Sequence, residues 1–235
     1  MRIGETEISV FNAKQHRVSI DHMTIRNNSE WQSGSTLPYI TGSQFDFKTI
    51  TITLIVKGQD REEIIRNCSN IIALLKEPAE LTLDGFSTKF EAILKSHAEE
   101  ETVMNRWHTL RLTFEGYEYG TEVIATGKTS ISIVNPGNIE SPCIIEITPT
   151  AGLDVLTLTG ICRDSFTGED LPVTVENLTR NKKVVLDGLS GLITEDGALK
   201  DADMWRLPAL QPGNNVITVD SSNVSIKVTV TPMYA

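Results

Sequence analysis

The chain has 235 residues, 40% hydrophobic and 22% charged, with no low-complexity tract, which is enough for one or two domains that each bury a real core. Its formal net charge of −10 argues against a general nucleic-acid-binding role, which needs a basic surface. Residues 1–126 carry 13 basic and 18 acidic side chains and residues 127–235 carry 8 and 13, so the acidity belongs to the whole surface and its plain reading is solubility.

The opening stretch, MRIGETEISVFNAKQHR, is charged throughout and lacks the apolar segment of a signal peptide. No apolar run approaches the roughly 20 residues that cross a bilayer. Cys68, Cys143 and Cys162 are odd in number and far apart, with no CxxC. That pattern predicts buried thiols in a reducing cytosol, without a zinc site or a disulfide frame.

Along the chain, strand periodicity dominates. In TITLIVKG, Ile50, Ile52, Leu54 and Val56 share one face while Thr49, Thr51 and Thr53 take the other. DREEIIRNCSNIIALLKEP breaks the period. Asp60 is the expected N-cap with Glu63 three residues on, and Ile64, Cys68, Ile71 and Leu75, joined by Ile65 and Ile72, form an apolar helical stripe stopped by Pro78. This predicts one amphipathic helix of about four turns laid against a sheet. LTLDGF carries a tight turn at Asp84-Gly85, and a long strand follows through Phe90, Ala92 and Leu94. SHAEEETVMN then places Glu99, Glu100 and Glu101 between strands, which reads as a solvated hairpin tip. In WHTLRLTF, Leu110, Leu112 and Phe114 face one way.

FEGYEYGTEVIATGKTS ends this series and begins another, so the boundary falls near residue 120, with domains at 1–120 and 121–235. Beyond it SISIV, CIIEIT, DVLTLTG, LPVTVEN, KKVVLDG, GLITEDG, NNVITV and VSIKVTV alternate with turns, which describes a β-sandwich. The fold class expected is mainly β (α+β): an antiparallel first domain with one helix, then a sandwich.

EDGALKDADMWRLPALQPG, residues 195–213, has the look of a site. Asp201 and Asp203 open like a calcium loop, but the fifth position is Trp205, the sixth Arg206 and the twelfth Pro212, so the EF-hand pattern fails. His16, His22, His97 and His108 show no ligand spacing, and GxSxG, P-loop and GxGxxG motifs are absent, so neither a metal, a catalytic set nor a cofactor is expected. Glu146 and Glu176 could form a glycosidase pair only if they met in space, and outward solvated positions are the plainer reading. Trp205 reads two ways. An exposed ring would be a sugar platform. With Met204, Leu207 and Leu210 around it, the stretch reads more simply as a strap half sunk in the core with Trp205 as its anchor, turning at Asp196-Gly197 and Pro212-Gly213.

The order strand (TITLIVKG), DREEIIRNCSNIIALLK helix, short ELTLDG strand, long hairpin closing in LRLTFEGYEYG and then a sandwich resembles the distal tail protein of long-tailed siphophages, often called Dit. KKVVLDGLSGLITEDGALKDADMWRLPALQPGNNVITV, with its tryptophan strap and Pro-Gly turn, strengthens the likeness, which covers nearly the whole chain. The resemblance implies a tail-tube-like first domain that builds a homohexameric ring and a galectin-like second domain. It implies a structural hub, without catalysis or cofactor, between the tail tube protein and the tail-tip, baseplate or receptor-binding proteins. It places the protein at the virion tail tip, assembled in the bacterial host cytoplasm, with DNA passing the channel unbound. On that reading Glu99, Glu100 and Glu101 are candidate lumen-facing acids that repel DNA. The alternative is a carbohydrate-binding sandwich contacting the host surface through Trp205.

Overall fold

The structure is a computed structural model. It describes residues 1–101, 106–164 and 167–235, and of Thr41 only the backbone. The chain divides into two compact units, Met1–Tyr119 with Ala235, and Gly120–Tyr234. Strands dominate both, with a single α-helix among the described residues. Among the described residues no helix is long and apolar enough to cross a membrane.

The first unit is built on one antiparallel sheet. Its strands run in the order Thr6–Glu7, Arg2–Ile3, Ala79–Thr82, Lys89–Glu101, Trp107–Tyr119, Lys48–Lys57 and Ala13–Asp21. Strict alternation in Lys48–Lys57 puts Ile50, Ile52, Leu54 and Val56 on one face with no solvent exposure, and Leu110, Leu112 and Phe114 pair beside them. The helix Arg61–Ala73 covers this face with Ile64, Cys68 and Ile71. Asp60 caps it, accepting the Glu63 N–H at 2.8 Å, while Glu63 reaches back to the N–H of Gln59 at 2.8 Å, one residue beyond the usual capping-box donor. The helix ends at Ala73, four residues short of the expected stop, and Ile65 lies outside the buried stripe at 45% exposure. The Asp84-Gly85 turn is present, with Gly85 at φ +89° and the Phe86 N–H donating to Leu83 O.

Two features of this unit are absent from the periodicity. A bulge between Leu94 and Ser96 leaves Lys95 unpaired, so the helix-side residues of Lys89–Glu101 switch from Phe90, Ala92 and Leu94 to His97, Glu99 and Glu101. And residues 22–47, between neighbouring strands, form a separate hairpin of Ile25–Glu30 with Tyr39–Phe45.

One ion pair in this unit is buried. Lys48 Nζ meets Glu118 Oε2 at 2.5 Å with the lysine side chain 3% exposed, and Thr88 donates to the other carboxylate oxygen at 2.7 Å.

The second unit packs two sheets over one core. One runs Val123–Gly127, Val224–Val230, Ser141–Pro149, Val184–Asp187, Ile193–Glu195 and Ala198–Leu199, with Ala209–Leu210 added along Ser141–Pro149. The other runs Ser130–Asn135, Gly213–Val219, Leu153–Thr159, Val173–Leu178 and Ala202–Asp203. Val224, Ile226, Val228 and Val230 of one face Ile217, Leu156, Leu158 and Val175 of the other within a single apolar cluster. All three cysteines are free and buried.

Removing one partner of a buried ion pair leaves the other charge uncompensated. Lys48→Ala is therefore expected to destabilise the first unit by about 3–5 kcal/mol, read by chemical denaturation, with Lys48→Met less harmful than Lys48→Ala. Equal, small losses in both would contradict this account.

Candidate functional surfaces

Glu99, Glu100 and Glu101 are not a loop tip. They end the long strand Lys89–Glu101, and residues 102–105, where the expected tip would lie, fall outside the described residues. Strand alternation splits the three. Glu99 sits opposite Leu110 and Glu101 opposite His108 on the helix side, whereas Glu100 sits opposite Thr109 on the other side. Glu99 bonds to Nδ1 of His108, which is wholly buried, and Glu101 pairs with Arg61 of the helix. Nearby Cys68 is pushed up to about 12 by burial, with the charge of Glu99 adding to it, so the thiol stays protonated at neutral pH.

Glu100 belongs to the sheet face that the helix leaves uncovered. The register builds this face in rows: Lys14, Ile55, Thr109 and Glu100; then Arg17, Thr53, Arg111 and Ala98; then Ser19, Thr51, Thr113 and Ser96. A groove of about 410 Å³ runs between these side chains, with Arg17, Arg111, Asp21 and Glu100 as its charged walls. Sequence alternation exposed the threonine stripe of Lys48–Lys57. It could not show which residues of three other strands stand beside it.

In the second unit, residues 193–213 behave as a strap, but Trp205 is not its anchor. Asp196 at φ +48° and Gly197 at φ +83° turn the hairpin between Ile193–Glu195 and Ala198–Leu199, as expected of that dipeptide. Ala202–Asp203 pairs along Val173–Leu178, and alternation then turns Met204 onto the core and Trp205 outward, at 83% exposure. What holds the strap is polar and backbone. Arg206 donates to Arg163 O at 2.7 Å and to Glu140 Oε2 at 3.2 Å, and Asn135 Nδ2 donates to Leu210 O at 3.0 Å above the buried Leu210 side chain. Pro208 O accepts from the Cys143 N–H and passes so close to Gly188 that a Cβ there would meet it at 2.0 Å. The expectation of a core tryptophan is corrected: neighbouring apolar letters reflected Met204 and Leu210, and the ring between them points to solvent.

The exposed ring stands outside the cavity that this unit offers nearest the strap. The adjoining cavity, about 230 Å³, is lined by Arg163, Asp170, Gln211, Asn214 and Asn215 among others, and not by Trp205. Several of these side chains are committed internally, Gln211 to Glu140 at 2.9 Å and Asn215 to the backbone of Gln211 at 2.8 Å. Among the described residues no group of three or more His, Cys, Asp or Glu side chains could hold a metal ion.

No family model and no curated protein matches the sequence. The structure does have counterparts. The crystal structure of SPP1 Dit, described as a paradigm of the hub adsorption apparatus in phages infecting Gram-positive hosts, aligns over 100% of this chain and 98% of its own, with a TM-score of 0.78 at 13% identity. The chain has the Dit fold. The baseplate of phage P2 in its calcium-activated conformation contains a chain that aligns over 97% of this one and 92% of its own, with a TM-score of 0.50 at 12% identity. The Dit fold thus accounts for both units in one order, and the mainly-β architecture read from the sequence is the one found.

Two outcomes follow from these surfaces. Trp205→Ala is expected to change the stability of the second unit by no more than about 0.5 kcal/mol, as for an exposed position, and a loss of several kcal/mol by denaturant titration would restore the core reading. The second outcome concerns acid. Burial works to raise Glu146, Asp187 and Glu195, but Lys183 and Lys227 beside Glu146, the Ser190 hydroxyl on Asp187 and Lys200 on Glu195 outweigh it and hold all three below their ordinary values of 4.5, 3.8 and 4.5. Stability from such groups is full above those ordinary values and is lost as pH falls through the lower folded ones. Calorimetry from neutral pH downward should show the melting temperature of the second unit dropping below about pH 4.5, and a flat profile would contradict the assignment.

Proposed function

We propose that this protein is a structural hub at the distal end of a long-tailed phage tail, forming a homohexameric ring that joins the tail tube to the baseplate or receptor-binding apparatus. The observation that carries this reading is the full-length likeness to SPP1 Dit, in which both units match in the same order with no part of the chain left over. Head-to-tail contacts between identical copies close into a ring when their rotation permits, and a two-unit chain can assign one unit to the ring and the other to attachment. On this reading the virion tail tip is its place and the bacterial cytoplasm its site of assembly, in keeping with three free, buried thiols. Of the three candidate lumen acids, Glu100 is the one the reading favours, because Glu99 and Glu101 already hold His108 and Arg61.

A second reading draws on the exposure of Trp205: the second unit is a carbohydrate-binding sandwich contacting the host surface, the ring stacking on a sugar face. Saccharide binding that vanished in Trp205→Ala while folding held would favour it.

Electron micrographs of the purified chain, with its mass from light scattering, test the first reading. Rings with the mass of six copies are the expected result, and a chain that stays monomeric at every concentration would overturn it.

A further inference from the structure

The sandwich of the second unit parts at one point. Gly213–Val219 pairs with Ser130–Asn135 from Gly213 to Thr218 on one side, but on the other it meets Leu153–Thr159 only through Thr218 and Val219. Beyond Thr159 the chain turns away. Gly160, at φ +87°, passes so close to Val216 O that a Cβ would meet it at 2.3 Å, and Ile161 O then accepts the Ala209 N–H at 2.9 Å. The cavity of about 230 Å³ opens where these two neighbours separate. Its polar side chains fall into two sets. Glu140 fixes the first: its carboxylate accepts from Gln211 at 2.9 Å and from Arg206 at 3.2 Å, and Asn215 donates to Gln211 O at 2.8 Å and to Gly213 O at 3.0 Å. The second set has hydrogen-bonding capacity to spare. Among the described residues the Asn214 amide makes no side-chain hydrogen bond, and Arg163 uses only Nε, on Asp170 Oδ1 at 3.3 Å. That leaves both amino groups of Arg163 and the second carboxylate oxygen of Asp170 for a ligand.

We infer that this cavity binds one neutral, hydroxyl-rich ring of a saccharide chain. The inference rests on the second reading above and gives that reading a polar site of its own besides the Trp205 ring. Chemistry selects the ligand. Each sugar hydroxyl both donates and accepts, so neighbouring hydroxyls match an amide, a guanidinium and a carboxylate set side by side. The charges of Arg163 and Asp170 offset each other, which favours neither an anion nor a cation. No aromatic ring is among the described lining residues, so a flat base has nothing to stack on, and polar walls would be left unpaired by an apolar ligand. Size agrees. Pockets that enclose a whole ligand run to about 300–1,000 Å³, and this smaller one suits a single ring with the rest of the chain outside. Place agrees as well. Cys162 Sγ donates to Arg206 O at 3.0 Å, and both Cys162 and Arg163 line the cavity, so Trp205 stands one residue from its wall. The set fixed by Glu140 is ordered before any ligand arrives, which lowers the cost of binding.

Saturation-transfer NMR on the full chain tests this with two kinds of probe. Single rings are the methyl glycosides of glucose, galactose, mannose and N-acetylglucosamine, and chains are maltotetraose and chitotetraose. The variants are Asn214→Ala, Asp170→Asn and Trp205→Ala, all at exposed positions, with a thermal melt of each. A single ring is expected to bind with a Kd of about 1–10 mM, as for a small ligand with few contacts. Its tetrasaccharide should bind at least ~10-fold tighter through the added contact. Asn214→Ala and Asp170→Asn should each weaken both probes at least ~10-fold with an unchanged melt, whereas Trp205→Ala should weaken the tetrasaccharide and spare the single ring. A tetrasaccharide lost in Trp205→Ala but indifferent to the other two variants would overturn the cavity and leave the second reading standing. No transfer from any probe would overturn both. If either polar variant fails to fold, Val216→Trp decides, since it fills the cavity from an exposed position, and unchanged binding there would refute the site.

Discussion

A β-sheet has two faces, and the first unit supplies cover for one. Ile50, Ile52, Leu54 and Val56, with Leu110, Leu112 and Phe114, must leave water, and the apolar stripe of Arg61–Ala73 is what this unit provides to bury them. Everything else in the unit is arranged around that fact. The opposite face has to live with solvent or with another molecule, and it does so with threonines, serines and a few charges in cross-strand rows. The arm of residues 22–47 is likewise unsupported by the core.

The second unit solves the same problem by a different route. Two sheets bury each other, so its strands need no helix, and the buried Asn135 and Ser141 side chains bond to backbone groups. Asn135 is the clearest case, wholly buried and bonded to Leu210 O and to the Gly137 N–H. The strap of residues 193–213 is held the same way, by Arg206, Leu210 and the passage of Pro208 over Gly188, which leaves Trp205 free of structural duty. A large aromatic ring kept in water without a packing role is available for contact with something else.

Much of this was legible in the letters. Alternation located the main strands and their buried faces, Asp60 and Glu63 located the helix start, and Asp196-Gly197 located a hairpin. Three things were not. The arm is rich in Asn, Ser, Gly and Thr, a composition that reads as loop. Its strands exist through pairing with each other and show no periodic buried face. The bulge at Lys95 inverts alternation with one residue, so Glu99 and Glu101 moved to the helix side while Glu100 did not. Trp205 lies between apolar residues in sequence but between core and solvent in space, because a strand's neighbours point in opposite directions.

The sequence by itself determined the class: a mainly-β, acidic chain with an amphipathic helix in its first half. Those properties follow from local periodicity and composition, which act over a few residues. Tertiary structure alone decided which acidic side chains were spoken for, which face of the first sheet stayed uncovered, that Trp205 was outside, and that residues 22–47 stand away from the core as an arm. Each of those depends on what lies across the neighbouring strand, and cross-strand partners separated by up to dozens of residues leave no mark in local spacing.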